Sequence, residues 1–116
     1  MLSQLTPLIG IAQVVEAPVR PPEPPTAYEL AERYFGDSPR MMAVIKCESN
    51  FEQYRNGVPL LSPTHDWGIM QINKAHEANA LAMGLDIKYS TEDNLKYGRW
   101  LYEREGTKPW TCIKKI

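Results

Sequence analysis

Two short stretches of the sequence decide its fold: Lys46-Cys47-Glu48-Ser49-Asn50-Phe51 and Trp67-Gly68-Ile69-Met70-Gln71-Ile72-Asn73. The first carries a single carboxylate, Glu48, shortly after the apolar run 41–45 and before Phe51. Because burial among apolar side chains penalises the charged form of a carboxyl group, we expect the pKa of Glu48 to be raised. A carboxylic acid that is still protonated near neutral pH can give its proton to a leaving oxygen, as cleavage of a glycosidic bond requires.

The second stretch carries one amide, Gln71, and is preceded by a second carboxylate, Asp66. Asp66 follows His65 in a turn region, where an aspartate often bonds to nearby backbone as a local cap. Two interpretations of Asp66 therefore stay open: a structural turn residue, or an auxiliary carboxylate of an active site.

The residues before Glu48 predict two helices. Thr26 can cap a helix that runs through Phe35 and ends at Gly36, and Ser38-Pro39 combines a cap with a proline in the first turn of the next helix. This second helix runs towards Glu48, so the carboxylate lies near a helix C-terminus. The helix dipole disfavours negative charge there and again raises the pKa.

The remaining residues predict a hairpin and two further helices. Asn56-Gly57 favours a tight hairpin, and Asn73 can cap a helix that continues to Met83 before Gly84. Ser90-Thr91-Glu92-Asp93 resembles a capping box for a last helix that ends near Glu105. The fold class that follows is α+β, mainly α, with a very small or absent sheet.

Length, composition and charge indicate one small globular domain with a tail. The chain has 116 residues, a net charge of -1 and 43% hydrophobic residues. It is not basic, so nothing favours a nucleic-acid partner, and no basic amphipathic helix favours binding to a membrane surface.

The first 25 residues read as a leader that precedes a domain of residues 26–116. The segment 5–15 is apolar but too short to span a bilayer, and five prolines lie between Pro18 and Pro25, where they favour extended geometry. The apolar segment can be a degenerate signal, the remnant of a membrane anchor, or a disordered leader. A tether to the membrane through the N-terminus is therefore among the interpretations.

The two cysteines, Cys47 and Cys112, are too few for a zinc site and have no His partner at ligand spacing, so we expect no metal. Either they form one disulfide or they are two buried thiols, and we favour the disulfide. Such a bridge closes a loop of about 65 residues, which is worth about 4 kcal/mol on the chain-entropy model. It also implies an oxidising compartment.

Three motifs in order resemble the signature of the SLT-type lytic transglycosylases, which have a lysozyme-like fold: Glu48-Ser49-x-Phe51, Gly68-x-Met70-Gln71 and Asn94-x-x-x-Gly98-x-x-Leu101. The stretch Asp66 to Asn73 after Glu48 is also similar to the active-site run of C-type lysozymes, in which an Asp two residues before the Gly is the second carboxylate.

These resemblances imply a compact lysozyme-like domain that cleaves the β-1,4 bond between N-acetylmuramic acid and N-acetylglucosamine in peptidoglycan. Glu48 would be the general acid and later the base, and Asp66 an auxiliary carboxylate. No metal or organic cofactor is implied. A muramidase that hydrolyses the same bond and an inactive peptidoglycan-binding module are the alternatives. We expect a monomer that acts outside the cytoplasm, in the periplasm, at the cell wall or secreted.

The resemblance to the transglycosylases also implies roles around the acid. Gln71 would point into the cleft towards substrate or Glu48, Ser49 would lie beside the acid, and Met70 would be core or cleft floor. Asn94 would be either a cleft amide or a first-turn helix residue.

Aromatic side chains complete the expected site. Trp67 and Trp110 are candidates for stacking on sugar rings, whereas Trp100 is expected in the core. The chain ends before the Ala-Tyr-Asn-like segment that such transglycosylases usually carry, so Trp110 and Tyr102 are expected to replace that wall of the cleft. His65 and His76 are expected at the surface.

Overall fold

The computed structural model describes residues 20–116. Residues 20–25 have no regular structure and are exposed. The apolar segment 5–15 lies outside the described residues. Its three interpretations, and the membrane tether among them, therefore stay predictions. Among the residues that are described, no helix has both the length and the apolar composition needed to cross a membrane.

Two capped helices lead to the first motif. Helix α1, Ala27–Phe35, is capped by Thr26, whose hydroxyl accepts from the Glu29 N–H while the Glu29 carboxylate accepts from the Thr26 N–H. Helix α2, Pro39–Ser49, has Ser38 as its cap and a proline in its first turn. Both starts confirm the sequence prediction, because the caps satisfy N–H groups that have no partner within the helix.

Two small antiparallel sheets follow α2. Strands β1, Tyr54–Arg55, and β2, Val58–Pro59, form the predicted hairpin, with Asn56 and Gly57 both at positive φ in its turn. Strands β3, Asp66–Trp67, and β4, Ile72–Asn73, pair so that Asp66 lies opposite Asn73. The second motif therefore forms a second hairpin, which the sequence did not predict.

Two further helices complete the domain. Asn73 caps a 3₁₀ helix, Lys74–His76, which leads into helix α3, Glu77–Ala82, so the expected helix begins with a 3₁₀ turn. Helix α4, Thr91–Glu105, is capped by Ser90. Its capping box is incomplete, because the Asp93 carboxylate accepts from the backbone N–H of Asp86. A 3₁₀ helix, Thr111–Lys114, follows.

The core lies where α1, α2 and α4 meet the second hairpin. Its fully buried side chains come from every one of these elements, and the largest are Trp110, Tyr97, Phe35, Met41, Ile45, Ile69 and Met70. Trp100 is half-buried against this cluster, as expected of a core residue. The described residues thus form a mainly helical α+β domain with two very small sheets, the fold class that the sequence predicts.

Candidate active site

Glu48 lies in the last turn of α2 and is half-buried. Its Oε2 accepts a hydrogen bond of 3.1 Å from the backbone N–H of Cys112. Burial raises the pKa of Glu48 above its ordinary value of 4.5; the Cys112 N–H and Lys115 oppose this rise, and the negative charge of Asp66 adds to it. The predicted direction is confirmed, and burial is its main cause.

Asp66, at the start of β3, is half-buried and held by its neighbours. Its Oδ1 accepts from the Asn73 amide at 2.9 Å, and its Oδ2 accepts from the hydroxyls of Ser62, at 2.8 Å, and Thr64. Burial alone would raise the pKa of Asp66, but these three hydrogen bonds outweigh it and lower the pKa below 3.8. Asp66 is therefore a negative charge fixed by its neighbours, and this charge acts through space on the pKa of Glu48.

The segment between β3 and β4 is buried although its backbone is irregular. Gly68 has a φ of +69°, and a Cβ built there would lie 2.3 Å from both polar atoms of the Gln53 amide. Gln53 is itself buried: its Oε1 accepts from the Ile69 N–H at 2.9 Å, and its Nε2 donates to two carbonyls, those of Ile87 and Lys88. The motif glycine thus provides both the turn and the space for this amide.

Sequence reasoning missed Gln53. It follows the Glu48 motif by only a few residues in a region of turn signals, where a polar residue is usually at the surface. Its role depends on backbone groups far along the chain, and no periodicity or motif spacing indicated it.

Three predicted site residues satisfy the remaining backbone groups of this segment. The Asn94 amide accepts from the Met70 N–H at 2.9 Å and donates to the Trp67 carbonyl at 2.8 Å. The Ser49 hydroxyl lies 2.7 Å from the Ile69 carbonyl, and the Trp110 indole N–H donates to the Met70 carbonyl at 2.8 Å. Buried backbone groups need such partners, so these side chains fix the shape of the motif.

Met70 and Gly98 explain the spacing of the third motif. Met70 is fully buried, and a Cβ at Gly98 would lie 2.9 Å from its side chain. Asn94 precedes Gly98 by one helical turn, so α4 approaches the segment closely at one position and hydrogen-bonds to it at the other. The second and third motifs therefore meet where α4 packs against the second hairpin.

Gln71 has a φ of +51°, and its side-chain amide donates to the Gly68 carbonyl at 3.0 Å. None of the hydrogen bonds described within residues 20–116 joins it to Glu48. It lines a cavity of about 170 Å³ together with Asp66, and the other lining residues are Ile72, Asn73, His76, Leu101, Glu105, Pro109 and Trp110. Gln71 and Asp66 thus share one concave site.

The predicted stacking residues are largely occupied by protein contacts. Trp67 is half-buried, its indole N–H donates to Glu77 at 2.6 Å, and the Lys88 ammonium lies 5.1 Å from its ring centroid. Trp110 is only 2% exposed, so it presents little of its ring to a ligand. Tyr102, expected in the wall of the cleft, packs edge-on against Phe35 of α1.

The two histidines differ from each other. His65 is exposed, as expected. His76 is half-buried, lies 2.8 Å from the Tyr97 hydroxyl through Nδ1, and lines the cavity, so the prediction of a surface residue was wrong. Its burial depends on Tyr97 of α4, a contact between residues 21 positions apart that local sequence does not indicate.

The cysteines form the disulfide that we favoured. Cys47 and Cys112 are bonded, with their Cα atoms 6.0 Å apart and 65 positions between them in sequence. The bridge joins the residue before Glu48 to the residue whose N–H binds the Glu48 carboxylate. Within residues 20–116, no group of three or more His, Cys, Asp or Glu side chains is arranged to hold a metal ion.

The fold and the site describe a lysozyme-like domain with a partly buried acid and, within electrostatic reach of it, a fixed carboxylate. A family model described as "Transglycosylase SLT domain" matches residues 26–112, and the chain belongs to this family. Membership supports a peptidoglycan-cleaving function of the lytic transglycosylase type. No curated protein and no solved structure matched the chain.

Proposed function

We propose that this domain cleaves the β-1,4 bond between N-acetylmuramic acid and N-acetylglucosamine in peptidoglycan as a lytic transglycosylase, with Glu48 as its general acid and base. The observation that carries the proposal is a half-buried Glu48 whose pKa is raised, within electrostatic reach of an Asp66 whose pKa is lowered. Carboxyl groups whose environments drive their pKa values apart are typical of glycan-cleaving sites.

In the proposed reaction the protonated Glu48 first gives its proton to the glycosidic oxygen, and the bond from this oxygen to C1 of the muramyl sugar breaks. The resulting carboxylate then takes the proton of that sugar's own C6 hydroxyl, and O6 bonds to C1. Glu48 ends protonated, no water is consumed, and the product is a 1,6-anhydro sugar. A single carboxyl group can perform both steps, and neither step requires a metal or an organic cofactor.

Asp66 has an electrostatic role in this proposal. Both of its carboxylate oxygens already accept hydrogen bonds from Ser62, Thr64 and Asn73. A carboxylate held in this way has less freedom to attack C1 as a nucleophile, but its charge can stabilise the positive charge that develops on the sugar ring. Its charge also helps to keep Glu48 protonated.

Substrate contacts are assigned to Gln71 and Trp67. Gln71 lines the cavity with Asp66, and Trp67 is only half-buried. Ser49, Met70, Asn94 and Trp110 are buried, and we propose that they hold the segment that carries Gln71 and Asp66 in place.

The substrate sets the location. Peptidoglycan lies outside the cytoplasm, and a disulfide such as Cys47–Cys112 persists in oxidising compartments. We propose a secreted, periplasmic or cell-wall enzyme of cell-wall degradation that acts as a monomer, since one domain carries all the site residues.

The decisive experiment is digestion of purified peptidoglycan, with the products identified by mass. Wild type should release anhydro-muropeptides, each lighter than the hydrolysed product by one water molecule. Glu48→Gln should lose about 10³-fold in rate, within the usual contribution of a general acid. Glu52→Gln is the matched control, because Glu52 lies just beyond the end of α2 and its carboxylate pairs with Arg55; it should keep its activity.

A muramidase remains the second candidate because Asp66 lies close enough to Glu48 to influence its pKa. Asp66→Asn separates the two enzymes: a hydrolase with Asp66 as nucleophile would lose nearly all turnover, whereas the proposed transglycosylase should retain part of it. Products with only reducing ends would overturn the transglycosylase. Binding without any turnover, unchanged in Glu48→Gln, would favour an inactive binding module.

A further inference from the structure

The short 3₁₀ helix Thr111–Lys114 lies against the C-terminal turn of α2, where Glu48 is located. Two bonds join these elements, and both involve Cys112. Its sulfur is bonded to Cys47, and its backbone N–H donates to the Glu48 Oε2 at 3.1 Å. The residue that carries the bridge thus also supplies a hydrogen-bond donor to the acid.

Few other contacts hold this segment. Trp110, just before it, is anchored by its buried indole and by the hydrogen bond to the Met70 carbonyl. After Trp110, the other hydrogen bonds described for residues 111–116 are local backbone bonds, from the Ile113 N–H to the Trp110 carbonyl and from the Lys115 N–H to the Cys112 carbonyl. Only Cys112 is buried there, and Ile113 is half-buried against the core. Without the bridge, the position of the Cys112 N–H would depend on these weak contacts.

One sulfur of the bridge belongs to an exposed residue. Cys47 is exposed, whereas Cys112 is buried. Thiol reductants need access to a sulfur of the disulfide, and Cys47 gives it to them. Two thiol molecules would supply two electrons and two protons, break the S–S bond, leave two cysteine thiols and combine into one new disulfide.

We infer that the Cys47–Cys112 disulfide is a positioning device for the acid: in the oxidised protein it holds the Cys112 N–H on Glu48, and its reduction releases the segment beyond Trp110 and slows glycan cleavage. The inference rests on the proposed function, because it assigns Glu48 the role of acid. It makes the activity dependent on an oxidising environment and goes beyond a stabilising role for the bridge.

Several groups face Glu48 and change together when the segment moves. Burial and the charge of Asp66 raise the pKa of Glu48, while the Cys112 N–H and the Lys115 ammonium lower it. Both of the latter groups belong to the C-terminal segment. The sharpest readout is therefore the hydrogen bond itself, followed at the Cys112 amide.

The experiment follows the Cys112 amide proton by nuclear magnetic resonance during a pH titration without substrate. In the oxidised wild type its chemical shift should move as Glu48 titrates, and in Glu48→Gln this movement should be absent. After reduction by dithiothreitol the movement should also disappear, while amides of the α1 and α4 core keep their positions. A Cys112 amide that still follows Glu48 in the reduced protein would overturn the inference.

Kinetics provide the second arm. Reduction should lower kcat on peptidoglycan by about 10-fold and change KM little, because misplacing a reacting group affects the chemical step more than binding. Cys47→Ala/Cys112→Ala should match the reduced wild type with or without reductant, and it serves as the test protein if the reduced wild type unfolds. Equal kcat in the oxidised and reduced forms would refute the positioning role.

The two arms separate this inference from the proposed function. Suppose that the Cys112 amide follows Glu48 only in the oxidised protein, but that the oxidised enzyme cleaves nothing. The assignment of Glu48 as a catalytic acid then fails, while the conclusion that the bridge positions the Cys112 amide stands. If the oxidised enzyme releases anhydro-muropeptides but the amide never follows Glu48, the proposed function stands and the inference is refuted.

Discussion

Removal of the Asn94 amide tests how the active-site segment is held. Asn94 is fully buried; its Oδ1 accepts from the Met70 N–H, and its Nδ2 donates to the carbonyls of Trp67 and Ile87 at 2.8 Å each. In Asn94→Ala the Ile87 carbonyl keeps the hydrogen bond from Gln53, but the Met70 N–H has no other described partner. Each buried group left unpaired costs about 1–3 kcal/mol, so we expect a loss of about 3 kcal/mol in the free energy of unfolding.

The assay is thermal and urea denaturation of the purified domain. A loss of this size should lower Tm by about 12 °C or more in a domain of this length. Asn79→Ala is the matched control, because Asn79 is exposed on α3 and its amide bonds to the Tyr97 hydroxyl; its cost should stay within about 1 kcal/mol. Peptidoglycan cleavage should fall in Asn94→Ala, since Asp66 and Gln71 flank the loosened segment.

A near-isosteric substitution extends the test to the pH dependence of stability. Asn94→Asp keeps an acceptor for the Met70 N–H but, when ionised, puts negative charge next to two carbonyl oxygens. Burial and these neighbours should raise the pKa of the introduced carboxyl above its unfolded value. The stability of this variant should therefore be closest to wild type below the unfolded pKa, and it should fall as pH rises through the folded pKa. If Asn94→Ala costs no more than Asn79→Ala, or if Asn94→Asp shows no such pH dependence, the role of Asn94 in holding the active-site segment is refuted.

Three further predictions concern stability. Gly68→Ala should lower Tm clearly more than Gly57→Ala, because both glycines have positive φ but only at Gly68 would a Cβ collide, at 2.3 Å, with a buried side chain; equal losses would contradict this reasoning. The lowered pKa of Asp66 contributes stability that is present above its ordinary value of 3.8 and is lost as pH falls through the folded pKa, so Asp66→Asn should flatten the acid limb of the stability curve. An unchanged acid limb would be the contrary result. Reduction of Cys47–Cys112, whose cysteines are 65 positions apart, should lower the free energy of unfolding by about 4 kcal/mol. Urea denaturation with and without dithiothreitol measures this loss. A loss below about 1 kcal/mol would show that the bridge does not constrain the unfolded chain.

Local chemistry made much of the fold readable from the sequence. Thr26, Ser38 and Ser90 each cap the helix predicted for them, because a cap needs only a hydroxyl and the N–H groups of the next turn. Asn56-Gly57 forms its hairpin because both residues tolerate positive φ. The raised pKa of Glu48 also agrees in direction with the prediction, since burial is its largest cause.

The interior of the site was not readable in the same way. The sequence predicted a surface position for His76 and a stacking role for Trp110, and it gave no indication of a role for Gln53. Each is instead placed by a partner far along the chain: Gln53 by Ile87, His76 by Tyr97, and Trp110 by Met70. Such contacts depend on how the helices are packed, which local propensity does not encode.

The sequence by itself determined the helices, the hairpin turn and the position of one acid at the end of α2, because these depend on interactions within a few residues. Only the tertiary structure decided what surrounds that acid. It brought Asp66 within electrostatic reach of Glu48 and the Cys112 N–H onto its carboxylate, across 64 positions of sequence. The physical reason is that desolvation and charge act through space, so the protonation state of Glu48 is a property of the folded chain.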